Sequence, residues 1–395
     1  MKYALFVLIF SLVSCSVKHS TTQDVSKNHE EMLLTIDMDK EYPIRQFTLE
    51  DIAQVEYIPL ETNDSVLVNG YPDIISKNYI LFHNTDGTIF IFDYKGHFLH
   101  MFNHRGGSGE EYSSIASLCL DNNSKEIYVL ESGLTCSVYT YTLKGKFKRK
   151  TKLPQNVSPT IIVNYDEDNL LCYSNVPDNY KSIRSEDFLK PYFYLSKDSG
   201  KISFLNIPLS KKISNTKILK SDSEGRCEMV EVAGINSLIN NGDEFIISDF
   251  ASDTIYSIKE RIPKPMAIRI PAKSFNTDNS PSLSIYLLTD KRIGFRVTDI
   301  GKIGTGNMSL PKLFIYDREL NDFYRFATYS KELGRIVGLG NNNSLLLPNH
   351  AYEVWDAEIL IKFLKAGKLT GELKKIASKL KTDDNPVLML AKFKE

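Results

Sequence analysis

The chain is 395 residues long, enough for one large domain or two of ordinary size. Hydrophobic residues make up 42% and charged residues 25%, which excludes wholesale disorder, and 48 basic against 49 acidic side chains exclude the basic balance of a nucleic-acid binder. Five cysteines exclude a disulfide scaffold, while 21 Tyr and 21 Phe against one Trp favour strands.

The first element is an address. Met1-Lys2 is a short charged start, and Tyr3 to Val13 is an apolar run too short for a membrane span, which needs roughly 20 residues. The run has the length of a signal-peptide core. It ends in Leu12-Val13-Ser14-Cys15, which resembles the bacterial lipobox. That resemblance implies that residues 1–15 are a lipoprotein signal, that Cys15 is lipidated, and that the membrane partner is reached through the acyl anchor. The polar stretch 16–32 reads as a flexible tether. No acidic cluster follows Cys15, so the expected location is the bacterial cell envelope, facing the periplasm rather than the cell surface.

Residues 33–60 are strand material, expected either to complete the last unit of the repeat described next or to cover it. From residue 79 the chain repeats. Tyr79 to Phe102 holds apolar runs around Asn84-Thr85-Asp86-Gly87 and a second turn at Lys95-Gly96. The same grammar returns at 127–147, 191–207, 245–262 and 313–326, and more weakly at 344–355. Gly96, Gly145 and Gly200 mark the second turn at intervals of 49 and 55 residues, followed by Lys259 and Leu320 after 59 and 61 more. Short alternating strands at this period predict an all-β fold over 33–395: a six-bladed β-propeller of four-stranded blades. The C-terminus departs from the pattern. Ile359, Leu360, Phe363 and Leu364, then Leu369, Leu373, Ile376 and Leu380, have helical spacing and predict a short helical insert at about 354–382. Its lysines admit a membrane-surface helix, but an insert packed on the last blade with its lysines solvated is the favoured reading.

These copies, the lipobox, the loop Arg105-Gly106-Gly107-Ser108-Gly109-Glu110-Glu111-Tyr112 and the ending Asp384-Asn385-Pro386-Val387-Leu388 resemble the Bacteroidetes six-bladed β-propeller lipoproteins, a group akin in pattern to NHL propellers. Ser108 stands where that family's glycine loop carries proline. The resemblance implies the fold and the envelope address, and almost no chemistry.

Candidate chemistry is sparse. His97, His100 and His104 cannot meet on one ion along a straight strand, since 100 and 104 would lie roughly 13 Å apart. No metal and no cofactor is expected. The glycine loop lacks a Walker ending and reads as the crossover between two blades. Ligands of propellers usually sit on the face carrying such crossovers, which places Arg105, Glu110 and Tyr112 near the channel mouth. The long loop 174–190 on the same face offers Tyr180 and Arg184. Asp249, framing a turn with Asp253, is a further candidate, though Asp commonly accepts turn N–H groups. No nucleophile elbow and no C-x-x-C pair occurs. Cys119 and Cys172 lie in apolar strands and read as buried small hydrophobes, and a Cys136–Cys227 bridge is left open. The expectation is therefore a non-catalytic binding or scaffold module for a glycan or an envelope protein, with no nucleic-acid partner. The alternative is a cation-dependent lyase or hydrolase using carboxylates at the channel mouth.

Overall fold

In a computed structural model the described residues are 33–132, 136–154, 157–174, 190–209, 216–221, 227–231, 237–242, 244–272, 281–299, 310–340 and 345–394. Cys15, the tether, Tyr180 and Arg184 lie outside them.

The chain opens with β1 (Leu34–Asp37), β2 (Ile44–Thr48), the single helical turn α1 (Leu49–Ile52) and β3 (Ala53–Pro59). Blade 1 follows as β4 (Ile74–Ile75), β5 (Tyr79–His83), β6 (Thr88–Asp93) and β7 (Phe98–Asn103). Blade 2 is β8 (Ile115–Asp121), β9 (Glu126–Glu131), β10 (Ser137–Thr142) and β11 (Phe147–Lys152). Blade 3 is β12 (Ile161–Asn164), β13 (Asn169–Tyr173), β14 (Tyr192–Ser196) and β15 (Ile202–Phe204), after which β16 (Thr216–Ser221) and β17 (Cys227–Glu231) form a separate hairpin. Blade 4 is β18 (Leu238–Asn240), β19 (Phe245–Ile247), β20 (Thr254–Lys259) and β21 (Ile262–Ile270). Blade 5 is β22 (Ser282–Leu288), β23 (Arg292–Thr298), β24 (Lys312–Asp317) and β25 (Asp322–Ser330), with β26 (Arg335–Val337) added beside β25. Blade 6 contains β27 (His350–Trp355), the insert α2 (Ala357–Lys365) and α3 (Gly371–Ala377), and β28 (Val387–Phe393).

Period-two alternation makes this a ring. Side chains of successive strand residues point to opposite faces, and every blade has a neighbour on both. In β8, Leu118 and Leu120 pack towards blade 1 while Cys119 packs towards blade 3. The buried apolar residues accordingly fall into six clusters, one at each junction: blades 1 and 2, 2 and 3, 3 and 4, 4 and 5, 5 and 6, and 6 and 1. Six junctions for six blades mean a closed ring, so the fold is a six-bladed β-propeller of four-stranded blades.

Closure explains the weak sixth repeat. Blade 6 is assembled from remote pieces: Gly340 bridges Tyr352 on its inner side, β27 pairs with β28, and β28 pairs antiparallel with β3 from the N-terminal region, Leu388 opposite Ile58. The expectation for residues 33–60 is thus met by β3, which completes the last blade. Two further pieces of that strand material pair in places that no sequence signal marks. β1 runs parallel along the outer edge of blade 4, Leu34 opposite Ala267, and β2 runs parallel along blade 5, Ile44 opposite Arg325. Every strand of the ring lies between residues 34 and 393, so this stretch carries its own core.

The repeat marks are the third-to-fourth-strand turns. Gly96, Gly145 and Gly200 have φ of 86°, 73° and 69°, where a glycine is unstrained. Blades 4 and 5 meet the same need with Glu260, Arg261 and Asn321, at φ of 51°, 64° and 48°. The helical insert joins β27 to β28 and buries Leu360, Leu373 and Ala377 against the junction of blades 5 and 6. Among the described residues no helix is long and apolar enough to cross a membrane.

Candidate functional site

A propeller has two ends. One carries the first-to-second and third-to-fourth strand turns of every blade (the turn end); at the other the chain crosses from blade to blade (the crossover end). The turn end holds a cavity of about 980 Å³. It is lined by the turns of blades 2 and 3, chiefly Asp121, Glu126, Asp166 and Asp168, with Arg149 and Lys197 between them and Asn240 of blade 4 on the far wall.

Its floor is a strap of blade 6. Leu345 bridges Ile75 of blade 1, and the Leu346 N–H donates to the Ile75 carbonyl at 2.8 Å. The Leu346 side chain meets Leu118 and Leu120 of blade 2 and Ile162 and Val163 of blade 3 around a void of about 10 Å³. Pro348 approaches Gly242 of blade 4, and the Asn349 Oδ1 accepts the Asp290 N–H of blade 5 at 2.7 Å. Touching five other blades, residues 345–349 lie across the central channel and turn its mouth into a bowl.

The bowl's walls follow from local sequence. Asp121 closes the β8–β9 turn by accepting the N–H groups of Asn123 and Ser124 at 2.9 and 3.3 Å. Asp166 does the same for Asp168 and Asn169 at 2.9 and 2.7 Å, and Asn240 for Gly242 at 3.0 Å. The two aspartate turns thereby aim their acids at the neighbouring blade, where cations bind them. Lys197 Nζ lies 2.8 Å from Asp121 Oδ2 and 2.7 Å from the Asp166 carbonyl, with side-chain exposures of 4% for Lys197 and 5% for Asp121. Burial works to raise the Asp121 carboxyl, but the hydrogen bond and charge of Lys197 hold it below the usual range. Glu126 accepts from Lys148, from Arg149 at 3.1 Å and from the Tyr128 hydroxyl at 2.7 Å. Against the upward push of burial, these hold its carboxyl down at about 2. Asp166 is also lowered, burial being outweighed chiefly by Arg261, 2.8 Å away. The result is a set of ionised, locked carboxylates. Glu167 and Asp168 stand exposed above them, their side chains without a partner among the described residues, and Asp198 is 90% exposed.

The residues singled out in the sequence lie elsewhere. The 105–112 loop is the crossover from β7 to β8, so it belongs to the opposite end. Tyr112 is wholly buried; its hydroxyl donates to the Gly87 carbonyl at 2.7 Å and accepts the His104 N–H at 3.1 Å, so no ligand from solvent reaches it. Arg105 Nε donates to the Ser113 carbonyl at 3.1 Å and Nη1 to that of Thr85 at 3.3 Å, which fastens the crossover to blade 1. Glu110 is exposed, and its carbonyl accepts the Tyr141 hydroxyl at 2.6 Å. Asp249 is buried, with Oδ1 on the Ala251 N–H at 2.8 Å and Oδ2 on the Tyr192 hydroxyl at 2.9 Å. Of these residues, the structure brings only Arg105 and Tyr112 into register, as a backbone bridge.

The three histidines diverge: His97 pairs with Asp93 at 2.9 Å, His100 meets the Lys144 carbonyl at 3.1 Å, and His104 meets that of Gly145 at 2.7 Å. Among the described residues no group of three His, Cys, Asp or Glu side chains is placed to hold a metal. Cys119 and Cys172 are buried in strands, and burial pushes both thiols up. What the sequence reading missed are the turn-end acids and their cations. The available signal was Asp121-Asn122-Asn123-Ser124 and Tyr165-Asp166-Glu167-Asp168, acidic turns at equivalent positions of consecutive blades.

Comparison with solved structures agrees with the fold. A Bacteroides fragilis protein described as exported is similar with a TM-score of 0.64 at 15% identity, covering 92% of this chain and 100% of that one. A member of the DUF4221 family from Bacteroides vulgatus has a TM-score of 0.44 at 11% identity, covering 87% and 97%. No curated protein matches the chain. A family model described as a domain of unknown function, DUF4934, matches residues 33–392, and the chain belongs to that family.

Proposed function

We propose that this propeller is a non-catalytic binding module of the bacterial cell envelope, anchored through a lipid on Cys15, and that its bowl takes a glycan. The observation that carries the reading is the open, polar bowl on a closed ring, its walls fixed by ion pairs before any ligand arrives. Saccharides are recognised by carboxylates and amides that take two hydroxyls at once, and Glu167, Asp168, Asn123 and Asn240 supply such groups around the cavity. The ion pairs of Asp121 and Asp166 hold the walls of the bowl in place, while the side chains of Glu167 and Asp168 are ordered only when a ligand binds. Asp121, Glu126 and Asp166 are all lowered and held in ion pairs, which leaves none of these three suited to act as a general acid. The envelope address is supported by the lipobox-like Cys15 segment and by the structurally similar Bacteroides fragilis protein, which is described as exported.

The test is a thermal-shift panel of glycans and peptidoglycan fragments on residues 33–395. A ligand at 100 times its Kd adds about 2.7 kcal/mol. A saccharide is expected to raise the melting temperature, and the exposed double variant Glu167→Gln, Asp168→Asn is expected to abolish that shift while melting normally by itself. A shift that survives the double variant rules the bowl out.

A further inference from the structure

We infer that the helical insert of blade 6 is a docking surface for anionic lipid headgroups. β27 runs from the strap at the bowl's floor to α2, so the insert stands at the crossover end, opposite the bowl. Between β27 and β28, over residues 356–386, lie seven lysines and five carboxylates, a surplus of two positive charges. Two lysines are neutralised within the helices, Lys362 by Glu358 at 2.6 Å and Lys375 by Glu372 at 3.1 Å. The other five, Lys365, Lys368, Lys374, Lys379 and Lys381, are exposed and have no carboxylate partner among the described residues.

A second observation points to a membrane rather than to bulk solvent. Tyr329 and Ile336 are register partners on β25 and β26, and they are 44% and 57% exposed. A Cβ placed on Gly334 would lie 3.2 Å from the Lys368 carbonyl and 3.9 Å from the Tyr329 hydroxyl, so this pair borders the α2–α3 connection. A tyrosine and an aliphatic residue beside lysines match the composition of protein surfaces that rest at the headgroup level. The apolar faces of α2 and α3 are spent on Leu360, Leu373 and Ala377, so the helices do not insert; the contact is electrostatic, with Tyr329 and Ile336 as shallow anchors. An extended anionic surface suits lysines spread along the helical insert, whereas a compact anion needs a convergent cradle. Docked this way, the propeller holds its bowl away from the membrane. The inference does not depend on the bowl's ligand.

Residues 33–395 are mixed with phosphatidylcholine vesicles, or with vesicles in which about a third of the lipid is phosphatidylglycerol, and sedimented. Each lysine near an anionic surface is worth about five-fold in partitioning, an effect that salt screens. The expected result is at least ten-fold stronger sedimentation with the anionic vesicles, lost at high salt. The reversal Lys365→Glu, Lys368→Glu, Lys379→Glu should reduce it more than ten-fold with an unchanged melting temperature, and Tyr329→Ala with Ile336→Ala should reduce it further at fixed salt. Equal partitioning to both vesicles overturns the inference, as does binding insensitive to the reversal. Equal affinity for a soluble acidic polypeptide, lost on reversal, also overturns it, by assigning the surface to a protein.

Discussion

At the residue scale, the chemistry of this chain is decided by which charges are paired. Lys197 and Asp121 form a buried pair joining blades 2 and 3, and removing one partner leaves the other charge buried without its counter-ion. Asp121→Ala is expected to cost about 3–5 kcal/mol in denaturant melts, while replacing both by apolar residues of similar volume should cost much less. Glu353 is the opposite case. Burial between blades 5 and 6 raises its carboxyl to about 7, against the Gly338 N–H and the Arg335 charge, and its Oε2 has no hydrogen-bond partner among the described residues. The folded state therefore keeps a proton that the unfolded chain gives up. The stabilisation is complete below about pH 4.5 and is lost as pH rises through about 7, on the order of 3 kcal/mol in all. Glu353→Gln should remove that slope and make the protein more stable than wild type at pH 8, measured by melting between pH 5 and 8. Neither feature is legible in sequence, where Asp121 looks like any strand-end acid and Glu353 like any polar residue alternating along a strand. Tyr112 and Asp249 illustrate the same limit from the other side: their types suggest contact with a ligand, and only burial shows that the fold has used them.

At the element scale, the ring depends on β3. Pairing β28 with β3 supplies the outer strand of blade 6 and completes the clusters on both sides of it. A chain beginning at residue 60 is expected to leave the edge of β28 open and to aggregate on size exclusion. One beginning at Ala53 keeps β3 and should still close the ring, at a lower melting temperature because it loses Leu34 and Ile36 from the blade 4–5 cluster. Gly96 tests the same closure from blade 1. Its φ is 86°, and a Cβ there would collide with the Pro59 carbonyl oxygen and approach Ile58. Gly96→Ala is expected to destabilise by about 1–3 kcal/mol, whereas at Gly107, with open space around it, alanine should be nearly silent. Five blades were legible because the four strands of each follow one another along the chain and the last two are joined by a short turn. The sixth was faint because residues 356–386 interrupt it and its outer strand is supplied from the far end of the chain. Parallel edge pairing of β1 and β2 has no turn to announce it.

At the scale of the whole molecule, the two ends of the ring have different surfaces. The turn end carries a bowl floored by the 345–349 strap and walled by acids that neighbouring blades hold in place. The crossover end carries the glycine loop and the basic helical insert. A repeat period shows that such ends exist, but which of them is concave depends on where a non-repeating strap crosses the channel. The measurement that tests the bowl most directly is amide hydrogen exchange on residues 33–395, with and without a saccharide that raises the melting temperature. The expected result is slowed exchange in the turns 121–126 and 164–169 and at 197–198, with the 105–112 crossover unchanged. Slowing confined to 105–112 or 248–253, with the turn-end amides unaffected, would contradict the account and move the site to the other end of the ring.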